Sequence, residues 1–196
     1  WVVASKKEGS TAMDLYLVRH ALAFERDPDL WPDDSLRPLT EEGIRRMQEA
    51  ARGLRALAPA PELVLCSPYA RAWQTAEILQ RQADWPAPVR CDALAALEPV
   101  KAALGALRLH TGLRAVALIG HEPNLGELLS YLLTGDSGRA TVTFKKGAVA
   151  CLALDNGLRP GTAALRWLLP PKVLRADCDE VPAPDDAPEP VTATAG

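Results

Sequence analysis

The chain has 196 residues, 48% of them apolar, which suits one domain with a sizeable core. Its formal net charge of −3, with Lys and Arg dispersed, argues against a dedicated nucleic-acid-binding face. No apolar run reaches the ~18 residues of a membrane-spanning helix, and residues 1–12 lack the apolar centre of a secretory leader.

In chain order, residues 1–12 read as an N-terminal extension or a cloning remnant, with Met13 as a natural start. Leu15-Tyr16-Leu17-Val18 is a strand-like run that stops at Arg19-His20-Ala21, where a loop rich in Asp and Pro begins. Thr40 is a good N-cap: Glu41 and Glu42 follow in the first turn, then Ile44, Met47, Ala51 and Leu54 at helical spacing. Pro59 and Pro61 end that helix before a strand over 63–66. A helix is predicted over 70–82, with Trp73, Ala76 and Leu79 near one face, and further helices over 100–109 and 124–133. Between the latter two lies the apolar run Val116-Ala117-Leu118-Ile119. Strands are predicted over 141–144, 148–154 and 164–169, and Asp155-Asn156-Gly157 predicts a hairpin between the last two. Residues 175–196, rich in Pro, Asp, Glu, Ala and Thr, read as a disordered acidic tail. Strands alternating with helices predict an α/β fold with a mostly parallel sheet.

Cys66, Cys91, Cys151 and Cys178 lie far apart with no C-x-x-C pair, and Cys66 and Cys151 sit inside apolar runs. They read as free thiols, the first and third buried, in a reducing compartment, so a cytoplasmic location is expected.

The chemistry gathers where strands end. Arg19-His20, Arg71 and His121 each follow an apolar strand by zero to five positions. Right-handed crossovers bring the C-terminal ends of parallel strands to one edge, where open α/β sheets bind ligands. The planar guanidinium matches phosphate oxygens, neutral imidazole is a nucleophile near pH 7, and Arg71 falls in the first turn of its helix, where N–H groups favour an anion. Two guanidinium groups and two imidazoles at one edge make a phosphate dianion the natural occupant. His110 lacks such company and reads as a helix C-terminal residue.

The ordered set Leu17-Val18-Arg19-His20-Ala21, Leu36-Arg37-Pro38-Leu39-Thr40, Ser67-Pro68-Tyr69-Ala70-Arg71 and Gly120-His121-Glu122-Pro123-Asn124 resembles the histidine phosphatase superfamily, the phosphoglycerate-mutase-like enzymes, and among them the short SixA-type phosphohistidine phosphatases. The resemblance covers residues 13–174, taken as the histidine phosphatase domain. It implies a three-layer sandwich with a mostly parallel central sheet flanked by helices, and a metal-independent, cofactor-free reaction. His20 attacks phosphorus to give a phosphohistidine intermediate, which water then hydrolyses. Arg19 and Arg71 neutralise the equatorial oxygens, and His121 adds a donor. The implied substrate is a phosphorylated protein, such as a histidine phosphotransfer domain, or a small phosphomonoester.

An alkoxide leaving group normally needs a proton from a placed acid; by chain order Glu98 is the candidate, with a solvent-facing side chain as the alternative. Ala21 stands where the commonest family signature has Gly. Only about 50 residues separate His20 from Arg71, leaving no room for the insertions by which mutases recognise phosphoglycerate. Arg37 matches an arginine common in the short subgroup or is surface charge. Glu122 is a second possible proton source. Lys145-Lys146 is a solvated hairpin end or a contact for an acidic partner.

The rival readings are a phosphomonoesterase acting on a small metabolite and a phosphate-binding module without turnover. A cysteine-phosphatase reading of Cys66 to Arg71 fails, because only four residues separate them and one is Pro68, whereas that chemistry needs five. Neither a zinc motif nor a P-loop or dinucleotide-binding glycine pattern is present.

Overall fold

The period-two alternation of apolar side chains along the strands decides the layering. A computed structural model describes residues 12–176. The predicted extension (apart from its last residue) and the tail beyond residue 176 lie outside them. Six strands, β1 (Met13–Arg19), β2 (Leu63–Cys66), β3 (Pro88–Arg90), β4 (Ala115–Gly120), β5 (Val149–Leu154) and β6 (Ala164–Leu169), form one sheet in the order β3-β2-β4-β1-β5-β6. β3, β2, β4 and β1 run parallel, and β5 and β6 add an antiparallel hairpin at one side.

Tyr16, Val18, Val64, Cys66, Ala117 and Ile119 face the layer of α1 (Glu41–Leu57), α2 (Ala70–Gln82) and α5 (Pro171–Ala176), meeting Met47, Leu54, Ala72, Leu79 and Leu174. Leu15, Leu17, Leu65, Val116 and Leu118 point the other way, into Leu104, Leu107, Leu125 and Leu128 of α3 (Val100–Arg108) and α4 (Asn124–Thr134). The result is a helix–sheet–helix sandwich, with β4 buried along its whole length between neighbours.

Helix α1 begins where its cap places it. Thr40 Oγ1 accepts from Gly43 N at 2.9 Å, fixing the start of α1. Gly43 is required by close approach, since a Cβ there would stand 2.0 Å from the Leu22 carbonyl oxygen. Pro59 and Pro61 follow the end of α1 as expected, and α2 has the predicted bounds.

Three features differ from the sequence reading. Residues 141–144 form no strand. Their backbone is held by side chains instead: Phe144 N donates to Glu122 Oε1 at 2.8 Å, and Phe144 O accepts from Arg19 Nη1 at 2.5 Å. The edge strand β3 is only three residues long and starts on Pro88, which leaves no periodic signal to read. The six-residue α5, which includes residues 175 and 176 of the expected tail, exists through tertiary packing: Leu174 is buried against α1, where Gly53 lets the backbones touch.

A Cβ at Gly53 would lie 1.7 Å from the Leu174 carbonyl oxygen. Gly53→Ala is therefore expected to push α5 off α1 and cost ~1–3 kcal/mol, the usual range for overpacking. Urea unfolding checks this as a lowered midpoint.

Candidate active site

Strand register builds the site. Arg19 pairs with Gly120 across β1 and β4, and Cys66 pairs with Ile119 across β2 and β4. Just past these pairs the ladder continues by one bond on each side: His20 N donates to Gly120 O at 3.1 Å, and Ser67 N donates to Ile119 O at 2.9 Å. His20, Ser67 and His121 therefore leave the sheet side by side at its C-terminal edge. Gly147, at φ +81°, turns the chain beneath His20 and donates its N–H to His20 O at 2.9 Å. The buried Thr75 ties in α2: its Oγ1 accepts from Ala21 N at 3.0 Å and donates to Arg71 O at 2.7 Å. Arg71 lies in the first turn of α2, whose N-terminus has no side-chain cap.

The His20 and His121 ring centroids are 5.2 Å apart. His20 Nδ1 lies 2.7 Å from the Ala21 carbonyl oxygen, which can only accept, so Nδ1 carries the hydrogen and Nε2 holds the lone pair. His121 Nε2 meets Ser67 Oγ at 2.8 Å, and Tyr69 packs edge-on against the same ring. The Arg71 guanidinium lies over the Tyr69 ring, 4.9 Å from its centre. It donates from Nη1 to Asp34 O at 2.9 Å and pairs through Nη2 with Asp34 Oδ2 at 3.1 Å. Asp34 Oδ1 accepts from Arg37 Nε at 2.8 Å. His20, Arg71 and His121 are buried, and Arg19 is partly so.

Among the described residues, Arg19 Nε, Arg71 Nε and His121 Nδ1 are enclosed without a hydrogen-bond partner. Such atoms are rare in folded proteins. Both guanidinium nitrogens are donors, and His121 Nδ1 becomes one when Ser67 donates to Nε2. The partner chemistry this cluster calls for is an acceptor, and its charge calls for an anion.

Burial pushes His20 down to about 3, against the bond to Ala21 O, and the charges of Arg71, Arg19 and Arg37 push the same way. His121 is lowered by burial, then by Arg71 and His20. Both rings are therefore neutral at pH 7. Burial also lowers Arg19 and Arg71, opposed by Glu122 and Asp34 respectively. For Asp34, burial acts upward, but the bond from Arg37 and the charges of Arg71 and Arg37 leave it below the ordinary carboxylate value.

The structure thus brings together Arg19, His20, Arg71 and His121. Arg37 joins them through Asp34, so it is not detached surface charge. Glu98 is exposed on the loop before α3, beside a small hollow that it lines with Gly120, His121 and Asn124; its carbonyl, not its carboxyl, accepts from Asn124 Nδ2. Glu122 is committed to backbone, accepting from Phe144 N and, at 3.1 Å, from Gly126 N. His110 sits after α3 at the opposite, N-terminal end of β4. Asp34, Ser67 and Thr75 had no assigned role in the sequence reading. For Asp34 the available signal was its i, i+3 spacing to Arg37 in the loop that follows β1. Among the described residues, no group of three or more His, Cys, Asp or Glu is placed to hold a metal ion, and no helix is long and apolar enough to cross a membrane.

This architecture is that of the phosphoglycerate-mutase-like folds: a phosphoglycerate mutase from Bacillus anthracis superposes with a TM-score of 0.60 at 14% identity, covering 84% of this chain and 96% of that one. The profile of the histidine phosphatase superfamily (branch 1) matches residues 15–100. Phosphohistidine phosphatase SixA of Escherichia coli K12 is 31% identical over 165 residues, covering 81% of this chain and 94% of SixA. An uncharacterized protein of Picosynechococcus sp. is 32% identical over 174 residues, covering 81% of this chain and all of that protein. The solved structure of SixA complexed with tungstate superposes with a TM-score of 0.71 at 27% identity, covering 83% of this chain and 99% of that one. The chain belongs to the histidine phosphatase superfamily.

Because the folded state holds His20 neutral far below the ordinary imidazole value of ~6.5, protons bind the unfolded chain first. This stabilisation is complete above pH ~6.5 and is lost as the pH falls toward about 3. His20→Asn is expected to flatten the acid side of the stability curve by up to ~1.4 kcal/mol per pH unit. Urea midpoints between pH 6.5 and 5 (values on the order of the unperturbed imidazole range), in phosphate-free buffer, test this.

Proposed function

We propose that the protein is a phosphatase that hydrolyses phosphohistidine on a protein through a covalent phosphohistidine intermediate. The observation that carries the reading is the enclosed, unpartnered Nε atoms of Arg19 and Arg71 and Nδ1 of His121, grouped around a neutral His20 whose Nε2 keeps its lone pair. The likeness to the phosphohistidine phosphatase SixA supports the substrate type.

In the proposed reaction His20 Nε2 attacks phosphorus in line. The bond to the leaving group breaks, and the leaving imidazole, which carries a proton on its far ring nitrogen, takes the electron pair and departs neutral. Arg19 and Arg71 hold the equatorial oxygens, and His121 donates to a third position as charge develops there. Water then attacks the phosphohistidine, returning neutral His20 and releasing phosphate. An imidazole leaving group departs more easily than an alkoxide, so the exposed Glu98 need not act. The cations come from side chains, so the proposed chemistry needs no metal and should survive a chelator.

His20→Ala is expected to abolish release of phosphate from a phosphohistidine-bearing phosphotransfer domain while tungstate still binds. Phosphorus NMR and calorimetric titration read the two. Turnover retained by His20→Ala removes the nucleophile assignment, and tungstate binding without turnover in the unaltered protein favours a binding module.

Glu98→Gln is expected to leave phosphohistidine hydrolysis within about twofold of the unaltered protein. A loss of a hundredfold or more on alkyl phosphomonoesters, within the general-acid range of ~10²–10⁴, together with little activity on phosphohistidine, marks a small-metabolite phosphomonoesterase instead.

A further inference from the structure

A cleft of about 440 Å³ adjoins the site through Arg19 but is lined by none of His20, Arg71 and His121. Its apolar wall includes Leu22, Met47, Phe144, Pro170 and Pro171. Around this wall stand Arg46, Lys145, Lys146, Lys172 and Arg175, and no Asp or Glu lines the cleft. Some of this charge is answered from outside: Glu42 pairs with Arg46, Glu25 with Lys146 at 3.6 Å, and Glu49 with Arg175 at 3.8 Å. Lys145 and Lys172 are exposed, and neither has an ion pair among the described residues. The surface is apolar at its base and cationic at its rim, which fits an acidic peptide segment carrying small apolar residues.

Such a segment is covalently attached at the cleft wall. Pro171, Lys172 and Arg175 belong to α5, and the chain continues from α5 into Asp177-Cys178-Asp179-Glu180-Val181. Residues 177–196 carry six carboxylates (Asp177, Asp179, Glu180, Asp185, Asp186 and Glu189) and no Lys or Arg. Val181 and the alanines and prolines between the acids supply the apolar surface. Each residue reaches at most ~3.3–3.6 Å, so this stretch is long enough to cover the cleft without drawing α5 from its seat. Attachment also gives the segment an effective concentration in the ~mM range, so a weak interaction suffices to fill the cleft.

We propose that this cleft is the docking surface for the chain's own acidic segment, residues 177–196. This docking is independent of the proposed chemistry and is read by binding alone.

Two experiments on the 196-residue chain test it. Zero-length carbodiimide coupling joins amines to carboxylates in ion-pair contact. Mass spectrometry is expected to find intrachain links from Lys145, Lys146 or Lys172 to carboxylates of residues 177–189, falling about tenfold in yield when the Debye length is cut from ~10 Å to ~3 Å by salt. Links mainly to Lys6, Lys7 or Lys101, links between copies, or no links overturn the proposal. In the second experiment, a synthetic peptide of residues 177–196 is titrated onto the 196-residue protein with its six segment carboxylates changed to amides. Binding is expected, weakened at least tenfold by Lys145→Glu with Lys172→Glu; both sites are exposed, and circular dichroism confirms the fold. No binding, or binding indifferent to the two substitutions, overturns it.

Discussion

The parallel ladder between β1 and β4 is the constraint on which the site depends. Arg19 opposite Gly120, with His20 N continuing the ladder onto Gly120 O, sets where both histidines leave the sheet. A slip of one residue would exchange the two faces of β1, sending Tyr16 and Val18 into the α3–α4 layer and Leu15 and Leu17 into the α1–α2 layer. The two apolar cores therefore hold the register, and the register places the imidazoles 5.2 Å apart. Helix α2 is brought into the same frame by Thr75, which joins the backbone after His20 to the backbone of Arg71.

Within that frame, desolvation and charge act together. Burial alone disfavours protonated imidazole, and the guanidinium groups of Arg71 and Arg19 add to it, so both rings are held neutral. The same burial makes the guanidinium groups costly unless they are paired. Asp34 serves Arg71 and Arg37, while Arg19 has one bond to the Phe144 carbonyl. Among the described residues the pairing is incomplete at Arg19 Nε, Arg71 Nε and His121 Nδ1. Asp34 is thus both a support for Arg71 and a negative charge that an incoming anion must meet.

Glu122 shows how the second half of the site is assembled. It follows His121 directly, yet its carboxylate is spent on Phe144 N and Gly126 N. With Arg19 on Phe144 O, these bonds anchor residues 141–144 in place of a strand ladder. The same loop carries Lys145 and Lys146 to the rim of the cationic cleft, so the loop that braces the histidine–arginine site also shapes the surface beside it.

The strands other than β3, the helices α1 to α4, the start of α1 at Thr40 and the span of α2 were legible locally, because a cap, a proline pair and apolar periodicity act within a few residues. Arg19-His20, Arg71 and His121 were legible for a different reason: each ends a strand, and parallel topology sends strand ends to one edge. The family followed from that ordered set. What the sequence could not hold is partner choice across long separations. Phe144 finds Arg19 and Glu122, Asp34 finds Arg71, Ser67 finds His121, and α5 forms because Leu174 has Gly53 to rest against. Those choices depend on which surfaces close packing brings within hydrogen-bond or van der Waals reach. Local sequence determined the elements and the residue types of the site; only tertiary packing decided which donors are paired, which carboxylates are spent on structure, and which cations face solvent.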